Sequence, residues 1–142
     1  MTDGRAAPDA SCHHLAAPSA PVESMSYARA EDLAAVRAFV CARALAGGLS
    51  PARVDLLGLA VSELATNTLQ HTEGGGLVRV WTAADDVICD IVDQGGLRSV
   101  AGEMPAADAI RGRGLAIVAR ICDEVTVSAS PQGTVVRVRF HR

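Results

Sequence analysis

Apolar positions recur with a helical period through residues 30–71 and with a strand period from residue 76 onward. Leu33, Val36, Val40 and Leu45 are spaced for one face of a helix over 30–46, with alanine filling much of the rest. Gly47-Gly48 ends that helix, as glycine past a C-terminus should. Ser50-Pro51 then pairs an N-cap residue with proline at the first helical position. It predicts a second helix from 51 to about 71, with Val54, Leu57, Val61, Leu64 and Thr68 as its buried stripe, and "TEGGG", residues 72–76, stops it.

"GLVRVWTAA" alternates, with Leu77, Val78, Val80 and Trp81 among its apolar positions, and Asp85-Asp86 reads as a turn. "VICDIVD", residues 87–93, reads as a partly buried strand that completes a hairpin. Residues 94–110 carry glycines, a proline, several alanines and mixed charge, the pattern of a long functional or mobile loop. "GRGLAIVARIC" predicts a glycine-led start and a buried helix over 113–122; "DEVTVSAS" is a strand, "PQG" a turn and "TVVRVRF" a last alternating strand. Met25 to Tyr27 reads as a short leading strand. Residues 1–24, rich in Ala, Pro, Ser and Asp with no apolar period, read as a disordered tail. Adjacent hairpins and three helices predict an α/β (α+β) two-layer sandwich: a mostly antiparallel sheet covered on one face by about three helices, in a single domain over 25–142.

Composition narrows the chemistry. Aromatic residues are 3% of the 142, so the core must be built from Ala, Val, Leu and Ile. The net charge of −3 argues against a generic nucleic-acid binder. All 13 basic residues are Arg, and the absence of Lys excludes a Walker-type phosphate loop, a Schiff-base enzyme and a Ser–Lys pair. Cys12, Cys41, Cys89 and Cys122 are far apart with no C-x-x-C, and are expected to be free thiols in a reducing cytoplasm. No apolar stretch approaches the ~18 residues of a membrane span, and no targeting segment is visible at the N-terminus. The expected location is therefore cytoplasmic, without membrane contact.

Four stretches carry candidate chemistry. In "SELATNTLQHT", Glu63, Asn67 and His71 stand four apart and form a slanting row along the second helix. Taken alone, that row reads first as a solvated face. Zinc suits it poorly, because His71 has no second His at a useful spacing. Magnesium needs only one or two oxygen ligands beside water and phosphate, and an Asn carbonyl with a nearby carboxylate suits it. In "VDQGG", Asp93 closes a strand before two glycines, where a carboxylate can accept from an exocyclic amine and a planar ring can approach the backbone; a simple β-turn reads the same way. "RGRGLAIV" places Arg111 and Arg113 at a glycine-led helix start, which is a phosphate site or a common helix start. Thr134, after Gly133, puts a hydroxyl near the sheet end or is simply a β-branched strand residue. "CHH", Cys12 to His14, lies in the tail, where adjacent ligands rarely make a defined metal site.

The order of these stretches is more specific than any one of them. Glu-x-x-x-Asn, a strand-ending Asp with glycines, a long loop, G-x-G-L and G-T-x-V resemble the GHKL ATPase superfamily of gyrase, the heat-shock chaperone of that fold, histidine kinases and mismatch-repair ATPases. "AVSELATNTLQHT", "IVDQGG" and "GRGLAIV" are most similar to the bacterial anti-sigma-factor serine/threonine kinases. The resemblance covers about residues 25–140. It implies a Bergerat-type ATP-binding fold and a regulatory ATP-binding protein: a kinase that binds a sigma factor and uses Mg-ATP to phosphorylate a Ser or Thr of an anti-anti-sigma (STAS-type) antagonist, with a homodimer as the assembly such regulators form. It implies Asn67 as Mg²⁺ ligand, Glu63 as general base, Asp93 as acceptor of the adenine amine, Gly95 and Gly96 as room for the base, and Thr134 as support for Asp93. It also implies a lid over 97–111, with Arg113, Gly114 and Leu115 near the phosphates. Leu97 replaces the second glycine of the family's D-x-G-x-G, and Ala109 the first of its G-x-x-G-x-G. The alternatives are an ATP-sensing binding module without catalysis and, from two helices joined by "GGLS", a helix-turn-helix DNA binder.

Overall fold

The computed structural model describes residues 21–71, 74–93, 116–130 and 133–142. Strand β1 (Glu23–Tyr27) leads through a short 3₁₀ turn (Ala30–Asp32) into helix α1 (Leu33–Ala46) and helix α2 (Pro51–His71). Strands β2 (Gly76–Ala83) and β3 (Asp86–Asp93) follow, then helix α3 (Ala116–Ile121) and strands β4 (Glu124–Ser130) and β5 (Gly133–His141). The five strands form one sheet in the order β1-β2-β3-β5-β4, and every neighbouring pair is antiparallel. The three helices pack against one face of it, as the pattern of hairpins and helices predicts.

Local signals explain the helices. The Asp32 carboxylate accepts from the N–H groups of Ala28 and Arg29 at 2.9 and 3.0 Å, which fixes the entry to α1. Gly48, at φ +100°, ends α1 in the left-handed region while Leu49 N–H reaches back to the Ala44 carbonyl. The Ser50 hydroxyl accepts from Arg53 N–H at 3.3 Å and opens α2. All five residues expected to form the α2 stripe, Val54, Leu57, Val61, Leu64 and Thr68, are buried.

Several expectations are corrected. β1 begins at Glu23 rather than Met25. On α1 the buried stripe is Val36, Val40 and Ala44 at four-residue spacing; Leu45 is turned a further ~100° around the axis and is exposed. The β2–β3 turn is Ala84-Asp85, with Ala84 at φ 55°, and Asp86 instead opens β3, held there by Arg139 and His141 from β5. The helix expected to be buried over 113–122 is described only as α3: Val118 is buried, Ile121 and Cys122 are partly so, and Ile117 is exposed. That i, i+3, i+4 spacing is one stripe against α2 and β4, not burial all round.

Asp90, the polar interruption of "VICDIVD", is fully buried on the helix-free face of β3. Arg137 grips it with two parallel bonds, 2.7 Å from Nε to Oδ1 and 2.9 Å from Nη2 to Oδ2, and Arg79 adds a third at 3.0 Å. Such a carboxylate is tolerated only because it is paired this fully. The Arg137 guanidinium also lies over Trp81, 5.1 Å from the ring centroid, so cations on their aliphatic stems cover the face that lacks helices. Arg53, the only basic residue of α2, pairs with Asp123 and donates to the His141 carbonyl. With its stripe buried and its one cation engaged, α2 has nothing left for a DNA groove, which removes the helix-turn-helix reading.

Candidate functional site

Strand register assembles the site. Tyr27 pairs with Gly76, and Gly76 with Asp93. Val92 pairs with Val135, which sets Thr134 beside Asp93. Tyr27, Gly76, Asp93 and Thr134 therefore form a row across four strands at one end of the sheet. Paired residues share a face, and the neighbours of this row at two-residue spacing (Met25, Val78, Ile91, Val136) belong to the core beneath the helices. The row accordingly lies on the helix-covered face.

Each member is held by a local feature. Asp93, the last residue of β3, is 6% exposed. Gly133 lies so close that a Cβ there would overlap the Asp93 carbonyl oxygen, and its φ of +144° suits no other residue well. Thr134 follows it, buried. From above, α2 contributes Asn67 and Thr68, both buried, and the half-buried Glu63 one turn earlier. Thr68 donates to the Leu64 carbonyl at 3.1 Å. The Tyr27 ring leans over Gly76, where any side chain would overlap it.

Among the described residues, the buried side-chain polar atoms without a hydrogen-bond partner are Tyr27 Oη, Asn67 Nδ2 and Thr134 Oγ1. Tyr27 and Thr134 stand in the row and Asn67 is the neighbour of Thr68 on α2; each such atom costs about 1–3 kcal/mol if it stays unpaired. Elsewhere the buried charges, Asp86 and Asp90, are fully engaged. Unpaired polarity concentrated around a buried carboxylate fits a polar planar ligand with its bridging waters. Burial pushes the Tyr27 phenol up to about 12; Thr68 beside it pulls the other way, and the Asp93 charge adds to the rise.

The donor set also fits magnesium: the Asn67 carbonyl and the Glu63 carboxylate share one helix face, and the described residues hold no cluster of three or more His, Cys, Asp or Glu that would instead make a metal cage. Cysteine chemistry is disfavoured. Burial raises the thiols of Cys89 and Cys41, and that of Cys122 to about 12, so none is a thiolate at neutral pH. Cys41, Cys89 and Cys122 are free, as expected; Cys12 lies outside the described residues.

Of the residues singled out in the sequence, register sets Asp93 and Thr134 side by side, and Asn67 is buried on α2 next to Thr68, with the half-buried Glu63 one turn earlier. Gly95, Gly96, Arg113, Gly114, Leu115, the 97–111 segment and the side chain of His71 lie outside the described residues. Tyr27, Thr68 and Gly76 join the site without having been anticipated there. Thr68 carries a signal that could have found it: a hydroxyl inside an otherwise aliphatic stripe, next to Asn67.

Residues 27–140 match the protein family described as "Histidine kinase-like ATPase domain". A solved structure, that of the RsbU and RsbW domains of Rv1364c from Mycobacterium tuberculosis, matches with a TM-score of 0.66 and 19% identity over 86% of this chain, which spans 32% of that one. The likeness is one of fold. No curated protein matches.

Proposed function

The chain belongs to the histidine kinase-like ATPase domain family, and on that premise we propose that it is a regulatory ATP-binding kinase, acting on a Ser or Thr of a partner protein with Mg-ATP. The observation that carries this reading is the buried carboxylate of Asp93 in one row with the unpaired hydroxyls of Tyr27 and Thr134, together with the unpaired buried amide of Asn67 on α2. Asp93 accepts the exocyclic amine of adenine. Thr134 supplies the next hydrogen bond at the base, and Gly133 lets β5 close in on Asp93. Asn67 offers its carbonyl to Mg²⁺, which when bound neutralises charge on the phosphates. Glu63, one turn back on α2, takes the proton of the attacking hydroxyl as its oxygen bonds to the γ-phosphorus and the bond to the β-phosphate oxygen breaks, releasing ADP. Gly95, Gly96, Arg113, Gly114 and Leu115 complete the pocket around base and phosphates on the family resemblance alone. The same resemblance proposes a sigma factor and its STAS-type antagonist as partners, and a homodimer as the assembly.

Calorimetric titration with ATP, with and without Mg²⁺, joined to a radiolabel-transfer assay on a candidate antagonist, tests the reading. Asn67→Ala should abolish Mg²⁺-dependent binding. Glu63→Ala should keep binding and lower transfer by roughly 10²–10⁴-fold. Undiminished Mg²⁺-dependent binding in the Asn67 variant would refute the metal role. Wild-type protein that binds ATP yet transfers no phosphate to any antagonist would replace the kinase by an ATP-sensing module.

A further inference from the structure

Tyr27 is a buried polar group of this corner that the proposed chemistry leaves unused. It is 3% exposed and closes β1, the edge strand farthest from β5 on its side of the sheet. A purely structural ring would sit with its hydroxyl in water or on a partner. Here the hydroxyl is held inside, with no hydrogen-bond partner among the described residues. Gly76 explains its position. With no side chain between Tyr27 and Asp93 in the row, the ring covers the glycine and the hydroxyl comes to rest on the Asp93 side. Thr68 borders it from α2: its hydroxyl donates to the Leu64 carbonyl, and its oxygen keeps lone pairs that can accept from Tyr27.

An ionised carboxylate is acceptor-only, with about four lone-pair sites, and the amine of a base uses one of them. A phenol this far from ionising is only ever a donor toward that carboxylate at neutral pH. Hydrogen bonds to a charged acceptor are also stronger than those to a hydroxyl.

We propose that Tyr27 is a positioning residue for Asp93: its hydroxyl donates to one carboxylate oxygen when nucleotide is bound, holding the other toward the exocyclic amine and so selecting adenine over guanine. The inference rests on the nucleotide reading of the site. Guanine presents a carbonyl oxygen where adenine presents its amine. An ionised carboxylate repels that oxygen and has no proton to offer it.

The test is calorimetric titration of the full chain with ATP, GTP and purine riboside triphosphate, which has the adenine ring without its amine. Wild type, Tyr27→Phe, Asp93→Asn and the double variant are compared. Phe keeps the ring over Gly76, and circular dichroism melts confirm an unchanged fold. Tyr27→Phe should weaken ATP about tenfold, the size of one charged hydrogen bond. It should leave purine riboside triphosphate unchanged and add nothing to Asp93→Asn. Equal losses for ATP and purine riboside triphosphate, additivity with Asp93→Asn, or no loss at all would overturn the role of Tyr27 while leaving ATP binding intact. Wild type that binds no nucleotide would overturn the nucleotide reading and this inference with it.

Discussion

At φ +144°, and so placed that a Cβ would overlap the Asp93 carbonyl oxygen, Gly133 occupies a position that no side chain enters without moving β5 away from β3. Thr134 depends on that approach, because it is the next residue. Gly133→Ala should therefore have two effects. Backbone strain alone should cost about 1–3 kcal/mol, read as a lower urea midpoint. ATP affinity should fall by more than that stability loss explains, since folded molecules remain but their Thr134 is displaced. A variant with the full stability loss and wild-type affinity per folded molecule would detach Gly133 from the pocket. Asn67 and Thr68 teach a related lesson. They are neighbours on α2, both buried, one an amide with an unpaired Nδ2 and the other a hydroxyl already bonded to its own helix. Thr68 fits the apolar stripe by spacing, so only its hydroxyl marks it in the sequence, and that it stands beside Tyr27 is decided by the folded sheet.

Elements were legible where a period or a terminal signal was strong. α2 has both: Ser50-Pro51 at its start and five stripe residues that all became buried. The β2–β3 hairpin was legible as two strands, but its turn was displaced by one residue, because "DD" looks like a turn while Asp86 has partners 53 and 55 residues away. The burial of Asp90 was illegible for the same reason: its partners stand on two other strands. At the far end of the sheet from the pocket, Asp86 Oδ1 lies 2.6 Å from His141 Nδ1, and this joint has a pH signature. The bond to Asp86 raises the His141 imidazole above 6.5, with Asp123 helping and Arg53 opposing. That contribution is whole below pH 6.5 and is lost as pH rises through the folded pKa. For Asp86, burial works against the charge, but the bonds from His141 and Arg139 outweigh it and lower the carboxyl below 3.8. That contribution is present above 3.8 and is lost as pH falls through the folded pKa. The β3–β5 joint should thus be strongest between about pH 4 and 6.5. Denaturation midpoints should decline above pH 6.5 in wild type and decline less in His141→Gln; parallel curves would show that the joint is pH-silent.

At the scale of the molecule, the two-layer design was readable from element order, because adjacent hairpins force antiparallel pairing and leave the helices one face to cover. Of the four stretches singled out in the sequence, register brings two to one place, Asp93 and Thr134, in a row to which β1 and β2 add Tyr27 and Gly76. A site distributed over four strands and a helix couples ligand binding to the whole fold. That coupling is read by thermal melting. A ligand that binds only the folded state stabilises it by about 2.7 kcal/mol at one hundred times its dissociation constant. For a domain of this size that is a rise of roughly 8–11 °C in Tm, at about 3–4 °C per kcal/mol. Mg-ATP should produce that rise in wild type, with the shift growing as the logarithm of ATP concentration. Asp93→Ala should melt without it, because the row loses the group that every other member surrounds. GTP should leave wild type unshifted at the same concentration. An equal rise with GTP, or a full ATP rise in Asp93→Ala, would mean that phosphates alone hold the ligand and that the row of side chains on the sheet is not where the base sits.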